Sequence, residues 1–125
     1  MKILVAEDSS TVRRLVATRL CADGYTVVEA EDGEQAVELA VAEQPTLIVL
    51  DKVMPKLDGF EVIRLLRERD ETRSIPIVML TEQAGEEDVL DGLDLGVEEY
   101  MPKPFSPREL SLRVKRVLAR GEGPR

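Results

Sequence analysis

The chain has 125 residues, of which 43% are apolar and 34% charged, a balance typical of one folded domain rather than of a disordered chain. Its formal net charge of −8 and its aromatic content of 3% argue against direct binding of nucleic acid, because phosphate backbones select positive surfaces and bases stack on aromatic rings. Histidine is absent, which excludes His-ligated metal sites and catalysis by a histidine base.

The N-terminal apolar run over residues 1–6 is too short for a signal peptide, because acidic residues follow it at once. No apolar run is long enough to cross a bilayer, so we expect a cytoplasmic protein without a membrane partner. Cys21 is the only cysteine, which excludes an internal disulfide. We expect it to be a buried, unreactive thiol of the first helix.

The apolar pattern predicts five short strands that alternate with five amphipathic helices. The strands are predicted over residues 2–6, 25–30, 46–50, 75–80 and 97–101. The helices are predicted over residues 10–22, 34–43, 59–69 and 86–95 and from residue 107 onward, with Asp58 and Ser106 as N-caps of the third and last. This alternation favours an α/β fold, a doubly wound five-stranded parallel sheet in the order 2-1-3-4-5 with helices on both faces.

Further expectations concern packing and domain limits. The first helix is expected to bury an apolar face made of Val12, Leu15, Val16 and Leu20. Residues 1–120 are expected to form one domain. The tail over 121–125 is rich in glycine and charge and is expected to be a linker, or the point at which an output domain was cut away.

Polar side chains stand where the predicted strands end. Glu7 and Asp8 follow the first strand, and Asp51 follows the most apolar one. Thr81 follows the fourth strand, and Lys103 comes shortly after the fifth. Because ligands of doubly wound sheets bind beyond the carboxyl ends of the strands, we expect these five side chains to meet at one edge. A lone acidic residue after a strand is usually only solvated, but five complementary groups together indicate a site.

The residue types at this edge favour phosphate chemistry on a carboxylate. Three carboxylates together repel one another unless a cation is present, and oxygen ligands without histidine or cysteine favour Mg²⁺. Asp51 is then the candidate nucleophile that attacks phosphorus to form an acyl phosphate. Lys103 supplies a positive charge and Thr81 a hydroxyl for the phosphoryl oxygens.

Four segments resemble response-regulator receiver domains, a CheY-like family of two-component signalling proteins. They are Val-Ala-Glu-Asp-Ser at 5–9, Leu-Ile-Val-Leu-Asp-Lys-Val-Met-Pro-Lys-Leu-Asp-Gly at 47–59, Val-Met-Leu-Thr at 78–81 and Tyr-Met-Pro-Lys-Pro-Phe at 100–105. The resemblance runs from residue 2 to about residue 120 and implies the flavodoxin-like fold of that family. It also implies a phosphorylation switch that controls an output domain or a partner protein.

The resemblance assigns a role to each site residue. It implies that Mg²⁺ is held by Glu7, Asp8 and Asp51 together with the backbone carbonyl of Val53. Asp51 would accept a phosphoryl group from a histidine kinase or a histidine phosphotransfer protein, since this chain has no histidine of its own.

In the same family, Thr81 and Lys103 contact the transferred phosphoryl group, and the bond between Lys103 and Pro104 is cis. The chain would catalyse only its own phosphorylation and dephosphorylation, so it is not expected to be an enzyme acting on external substrates.

Tyr100 resembles the aromatic residue that moves inward when the threonine hydroxyl turns towards the phosphate. An aromatic ring packed at the sheet edge would also explain it, although its position three residues before Lys103 favours the switch role. The output surface implied by the resemblance consists of the predicted fourth helix, the fifth strand and the last helix.

The same surface resembles the homodimer face of winged-helix transcription regulators. The charged residues of this face are Glu98, Glu99, Glu109, Arg113 and Arg120. Val89 stands where those regulators usually carry a basic residue, so one expected salt bridge is missing. Two interpretations stay open: a dimer that exposed ion pairs stabilise weakly, or a solvated face.

Two further positions depart from the family pattern. Lys52 is either a second cation near the phosphate or a solvated side chain, and Glu82 either narrows access to the site or points to solvent. Val53 and Gln83 occupy positions that tune acyl-phosphate lifetime in the family.

Two other functions fit the sequence less well. A phosphohydrolase with an aspartate nucleophile usually carries a second Asp two residues later, where this chain has Val53. A degenerate receiver, used only as an interaction module, would lack an acidic, threonine or lysine position, and all of these are present.

Overall fold

The computed structural model describes residues 1–81 and 96–122, and these residues form a parallel sheet with helices on both faces. The strand order is β2-β1-β3-β4-β5 and every pair is parallel, as predicted. The strands are β1 (Lys2–Ala6), β2 (Thr26–Ala30), β3 (Leu47–Asp51), β4 (Ile77–Thr81) and β5 (Glu99–Pro102).

Four of the five predicted helices lie in the described residues. They are α1 (Ser10–Ala22), α2 (Gly33–Glu43), α3 (Gly59–Arg67) and the C-terminal helix (Pro107–Glu122). The remaining predicted helix, over residues 86–95, falls outside the described residues. None of the described helices combines the length and the apolar composition that a membrane span needs.

Side-chain caps fix where the helices begin. Asp58 caps α3 as predicted by accepting from the Glu61 N–H, and the Glu61 carboxylate accepts from the Asp58 N–H, which completes a capping box. The Ser106 hydroxyl accepts from the Glu109 N–H at the start of the C-terminal helix, also as predicted. Asp32 caps α2 by accepting from the Gln35 N–H, and this bond is the main cause that lowers the pKa of Asp32.

The core has two layers, one on each face of the sheet. Alternate residues of the strands point to opposite faces, so Leu4 and Ile48 pack with α2 and α3, whereas Ile3 and Val49 pack with α1 and the C-terminal helix. β3 and β4 are buried along their whole length, as expected for central strands of a parallel sheet.

Two sequence predictions for α1 are wrong. Cys21 is exposed rather than buried, and Leu15 is 49% exposed. The buried stripe of α1 consists of Arg13, Val16, Ala17 and Leu20. Around the helix, Leu15 lies about 150° and Cys21 about 90° from the centre of that stripe, so both face the solvent side. An arginine takes part in the buried face, which apolar periodicity alone does not predict.

The bounds of β1 are as predicted, and those of the other four strands differ from the prediction by one or two residues. β4 begins at Ile77 rather than at 75, because Pro76 has no N–H to donate to the ladder. The carbonyl of Pro76 still accepts from the Ile48 N–H. The register pairs Ala6 with Leu50 and Asp51 with Leu80, so β1, β3 and β4 end at one edge of the sheet.

Candidate phosphoacceptor site

The carboxyl edge of the sheet holds a cavity of about 490 Å³. All five polar residues singled out in the sequence line it: Glu7, Asp8, Asp51, Thr81 and Lys103. Ser9, Val12 and Val53 complete its described wall. Four strands therefore deliver their terminal residues to one pocket, as the topology of doubly wound sheets requires.

Lys103 bridges two carboxylates in this cavity. Its ammonium donates to Glu7 Oε1 at 2.7 Å and lies 3.2 Å from Asp51 Oδ2. Burial lowers the pKa of Lys103, but the hydrogen bond to Glu7 and the negative charges of Asp51 and Glu7 outweigh it, so the pKa is raised. Lys103 is therefore a permanent cation at neutral pH.

The three carboxylates lie close enough together to share one ion. One oxygen each from Glu7, Asp8 and Asp51 lies within 4.8 Å of the others. Glu7 is 1% exposed, and its Oε2 has no hydrogen-bond partner among the described residues. Burial raises the pKa of Glu7, the neighbouring Asp51 carboxylate also raises it and Lys103 lowers it, and the resulting pKa is about 8.

A buried carboxylate oxygen without a partner is costly, and a cation would satisfy it. The donor set consists of hard oxygens with two buried carboxylates and one exposed one, which fits Mg²⁺ and does not fit a metal that prefers nitrogen or sulfur.

The loop between β3 and α3 runs close against Asp51. The Val53 N–H points at Asp51 Oδ1 from 3.4 Å, and the Gly59 N–H donates to the Lys52 carbonyl at 2.7 Å. A Cβ on Gly59 would lie 2.8 Å from the Asp51 carbonyl oxygen, so only glycine permits this approach. The bond from Lys103 to Pro104 is cis, as predicted.

Lys52 lies apart from the cavity, although it follows Asp51 directly. Its ammonium is 5.3 Å from the centre of the Phe60 ring, within the range of a cation–π contact. Lys52 is not among the described residues that line the cavity. Glu82, Gln83 and Val89 lie outside the described residues.

The residues of the predicted switch sit on neighbouring strands. Thr81 is 1% exposed and lines the cavity. Tyr100 is half-buried on β5, where it pairs with Met79 and packs on the core layer that contains α2 and α3. Period-two alternation places Thr81 on the same face of the sheet as Met79.

The predicted dimer face carries ion pairs within the chain. Glu99 lies 3.2 Å from Arg113, 2.6 Å from Arg116 and 3.3 Å from Arg120, and we call these four residues the arginine cluster. Arg113 also pairs with Glu109 at 2.8 Å, and Glu98 is exposed. Sequence reasoning missed Arg116, although its spacing of three from Arg113 and four from Arg120 places it on their helix face.

Comparison with known proteins places these observations in a family. The protein-family model described as the response regulator receiver domain matches residues 3–115 of this chain. The protein named "Probable transcriptional regulator ycf27" of Cyanophora paradoxa is 47% identical over 98% of this chain and 50% of its own length. The alkaline phosphatase synthesis transcriptional regulatory protein PhoP of Bacillus subtilis is 48% identical over 97% of this chain and 50% of its own length.

Solved structures agree with the sequence relatives. The receiver domain of Francisella response regulator 1452 superposes with a TM-score of 0.90 at 31% identity, and covers 97% of this chain and 98% of that one. Chemotaxis protein CheY4 of Vibrio cholerae superposes with a TM-score of 0.88 at 33% identity, over 93% of this chain and 97% of that one. This chain spans about half the length of the curated relatives it matches. With its family match, its fold and its acidic cavity, the chain belongs to the receiver domains of two-component response regulators, a family that is switched by phosphorylation of an aspartate.

Proposed function

We propose that Asp51 is the phosphoacceptor of this receiver domain and that Glu7, Asp8 and Asp51 hold Mg²⁺ with the backbone carbonyl of Val53. The observation that supports this most strongly is the contact of one ammonium, on Lys103, with both Glu7 and Asp51 beside an unsatisfied buried carboxylate oxygen. Asp51 is the member of the three that ends a central strand and that the loop of Val53 and Gly59 encloses.

The proposed reaction transfers a phosphoryl group from the imidazole nitrogen of a donor protein. A carboxylate oxygen of Asp51 attacks the phosphorus as the P–N bond breaks, and the electron pair of that bond stays with the imidazole nitrogen. Mg²⁺, when bound, offsets negative charge on the phosphoryl oxygens. Lys103 is held beside Asp51 Oδ2 and offsets charge from the other side, while the Thr81 hydroxyl reaches a phosphoryl oxygen.

The donor is proposed to be a histidine kinase or a histidine phosphotransfer protein. An apolar groove of about 490 Å³ adjoins the cavity and is lined by Val12, Leu15, Lys103, Pro104 and Phe105. Val12 and Lys103 belong to both walls, so a protein that presents a phosphohistidine to Asp51 must lie across this groove. The exposure of Leu15, which α1 packing leaves unexplained, supports the same surface.

The phosphorylated domain is proposed to act on an output domain or a partner protein. Thr81 and Tyr100 on adjacent strands would couple the phosphate to β5 and the C-terminal helix. Relatives about twice as long as this chain, including two that are named as transcriptional regulators, support residues 1–120 as the receiver unit of such a regulator. The C-terminal helix runs on to Glu122, so a linker would begin after that residue rather than at 121. A homodimer through β5 and the C-terminal helix belongs to this proposal, with the arginine cluster at its face.

Incubation with Mg²⁺ and acetyl phosphate tests the phosphoacceptor directly. Intact-mass spectrometry should find one hydroxylamine-sensitive phosphate on the wild type and none on Asp51→Asn. Asp58→Asn is the matched control, because it removes a nearby carboxylate while asparagine still caps α3. A hydrolysable phosphate on Asp51→Asn would overturn the assignment.

The donor groove has its own test. Leu15→Glu should slow phosphotransfer from a phosphorylated histidine protein about tenfold, since it places a charge in an apolar contact. The same variant should react with acetyl phosphate at the wild-type rate, because the cavity is unchanged. Equal slowing with both donors would mean that Leu15 acts on the site and not on docking.

A further inference from the structure

Arg13 is a buried cation that lies behind the cavity. It is 9% exposed and shares the inward stripe of α1 with Val16 and Leu20. Its Nη1 donates to the backbone carbonyl of Glu7 at 2.8 Å, and its Nε donates to Glu29 Oε1 at 3.1 Å. Arg13 is not one of the described residues that line the cavity, and its hydrogen bond to Glu7 connects it to the site.

The backbone of Glu7 is hydrogen-bonded at both its N–H and its carbonyl. The Glu7 N–H donates to the Ala30 carbonyl at the end of β2 at 3.1 Å, and the Glu7 carbonyl accepts from Arg13. The second bond fixes the peptide that leads from Glu7 to Asp8. The direction in which both carboxylates face the cavity therefore depends on a bond that a side chain of α1 supplies.

The planar fork of arginine suits this position. One guanidinium spans a backbone carbonyl of the β1–α1 turn and a carboxylate of β2, and its Nη2 lies 3.9 Å from Glu31. A lysine ammonium is a single point charge and cannot reproduce two divergent bonds in one plane. Burying a charge is costly unless it is paired, and Glu29 provides the pair.

We propose that Arg13 is a positioning residue that orders Glu7 and Asp8 for a divalent cation and couples that order to Glu29 on β2. This inference rests on the proposed Mg²⁺ site. Residues behind the ligands of a metal typically change its affinity about 10- to 100-fold when they are removed. In this protein, Arg13 hydrogen-bonds to the backbone carbonyl of the proposed metal ligand Glu7, and not to its carboxylate.

Calorimetric titration of metal-free protein with Mg²⁺ tests the inference. Arg13→Met should weaken Mg²⁺ binding at least about tenfold, and Arg13→Lys should recover only part of the loss. Glu29→Gln should weaken binding by a smaller factor, because it leaves the bond from Arg13 to Glu7 in place. Arg14→Met is the matched control and should bind as the wild type does, since Arg14 is exposed and also contacts Glu29 at 3.7 Å.

A destabilising substitution far from the cavity serves as a second control. It separates an effect of Arg13 on the orientation of the metal ligands from a general loss of stability. Leu118→Ala removes buried side chain from the C-terminal helix and should leave the Mg²⁺ dissociation constant unchanged. In ¹H–¹⁵N spectra, Arg13→Met should move the amides of Asp8 and Ala30. If Arg13→Met binds Mg²⁺ as tightly as the wild type or Leu118→Ala, the inference is wrong. Should Arg13→Met fail to fold, the same criterion applies to Arg13→Lys and Glu29→Gln.

The two proposals fail in different ways. A wild type that takes up no Mg²⁺ would overturn the proposed function and this inference together. A wild type that binds Mg²⁺ and becomes phosphorylated, beside an Arg13→Met variant with the same affinity, would overturn this inference alone.

Discussion

Charged side chains form two clusters in this protein, and the two clusters differ in how far solvent reaches them. At the carboxyl edge of the sheet, Glu7 and Asp51 are buried, with one lysine between them. In the arginine cluster, one glutamate meets three arginines, two of which are more than half exposed. The first cluster has more carboxylates than cations, whereas the second has more cations than carboxylates.

The comparison shows that burial, and not the number of ion pairs, decides what a charge costs. Water screens the pairs that Arg116 and Arg120 make with Glu99, so each of these pairs contributes little. The edge cluster is screened far less, and burial, with the Asp51 carboxylate, raises the pKa of Glu7 to about 8. An arrangement of this kind is poorly explained by stability and well explained by the proposed binding of a cation and a phosphoryl group.

Removing Lys103 should have the largest effect on stability. In the absence of metal, Lys103→Met leaves the buried Glu7 and Asp51 without the cation they share, and we expect a loss of about 3 kcal/mol in the free energy of unfolding. Urea denaturation with EDTA measures it, and Mg²⁺ should restore part of the loss. Lys56→Met, at an exposed side chain, is the control. A Lys103→Met variant as stable as the wild type in EDTA would show that the ammonium does not compensate the carboxylates.

The second prediction concerns pH and Glu7. In the folded state Glu7 keeps its proton up to a pKa of about 8, whereas the unfolded chain releases it near the ordinary value of 4.5. Between these values the folded state binds more protons, so this group makes stability fall as pH rises from about 4.5 to about 8, and the loss is complete above that. The total should be on the order of a few kcal/mol.

Denaturation of metal-free protein at several pH values tests this dependence. Glu7→Gln should abolish the additional decline, because glutamine does not titrate. Saturating Mg²⁺ should also reduce it in the wild type, since the cation compensates the ionised carboxylate. Parallel curves for wild type and Glu7→Gln would contradict the shifted pKa.

Much of the edge cluster could be predicted from the sequence. Its five residues each stand at the end of a strand with clear apolar patterning, and the topology rules bring such ends together. What could not be predicted is the arrangement within the cavity. No spacing rule indicates that Lys103 contacts Glu7 more closely than Asp51, because that depends on side-chain conformations and on burial.

The packing of α1 and the arginine cluster were harder to predict. Apolar periodicity assigned Leu15 to the core, but Arg13 takes part in the buried stripe because its charge is met by Glu29 and by a backbone carbonyl. In the same way, the sequence indicated that residues of the C-terminal helix form a charged face, without indicating that Glu99 would join three arginines of its own chain. The burial of Arg13 and the ion pairs of Glu99 both depend on partners that are distant in the sequence.

Substitutions in the arginine cluster should have the smallest effect on stability, and they contrast most clearly with Lys103→Met. Glu99→Gln removes three ion pairs at once, yet we expect it to cost only about 1 kcal/mol in low salt and less in high salt, because Arg116 and Arg120 are more than half exposed and water screens their pairs. Arg120→Gln should change stability by less than about 0.5 kcal/mol, since it removes one exposed pair. Urea denaturation at low and high salt measures both. If Glu99→Gln cost as much as Lys103→Met, burial would not be what distinguishes the two clusters, and the case for a ligand at the carboxyl edge would lose its energetic support.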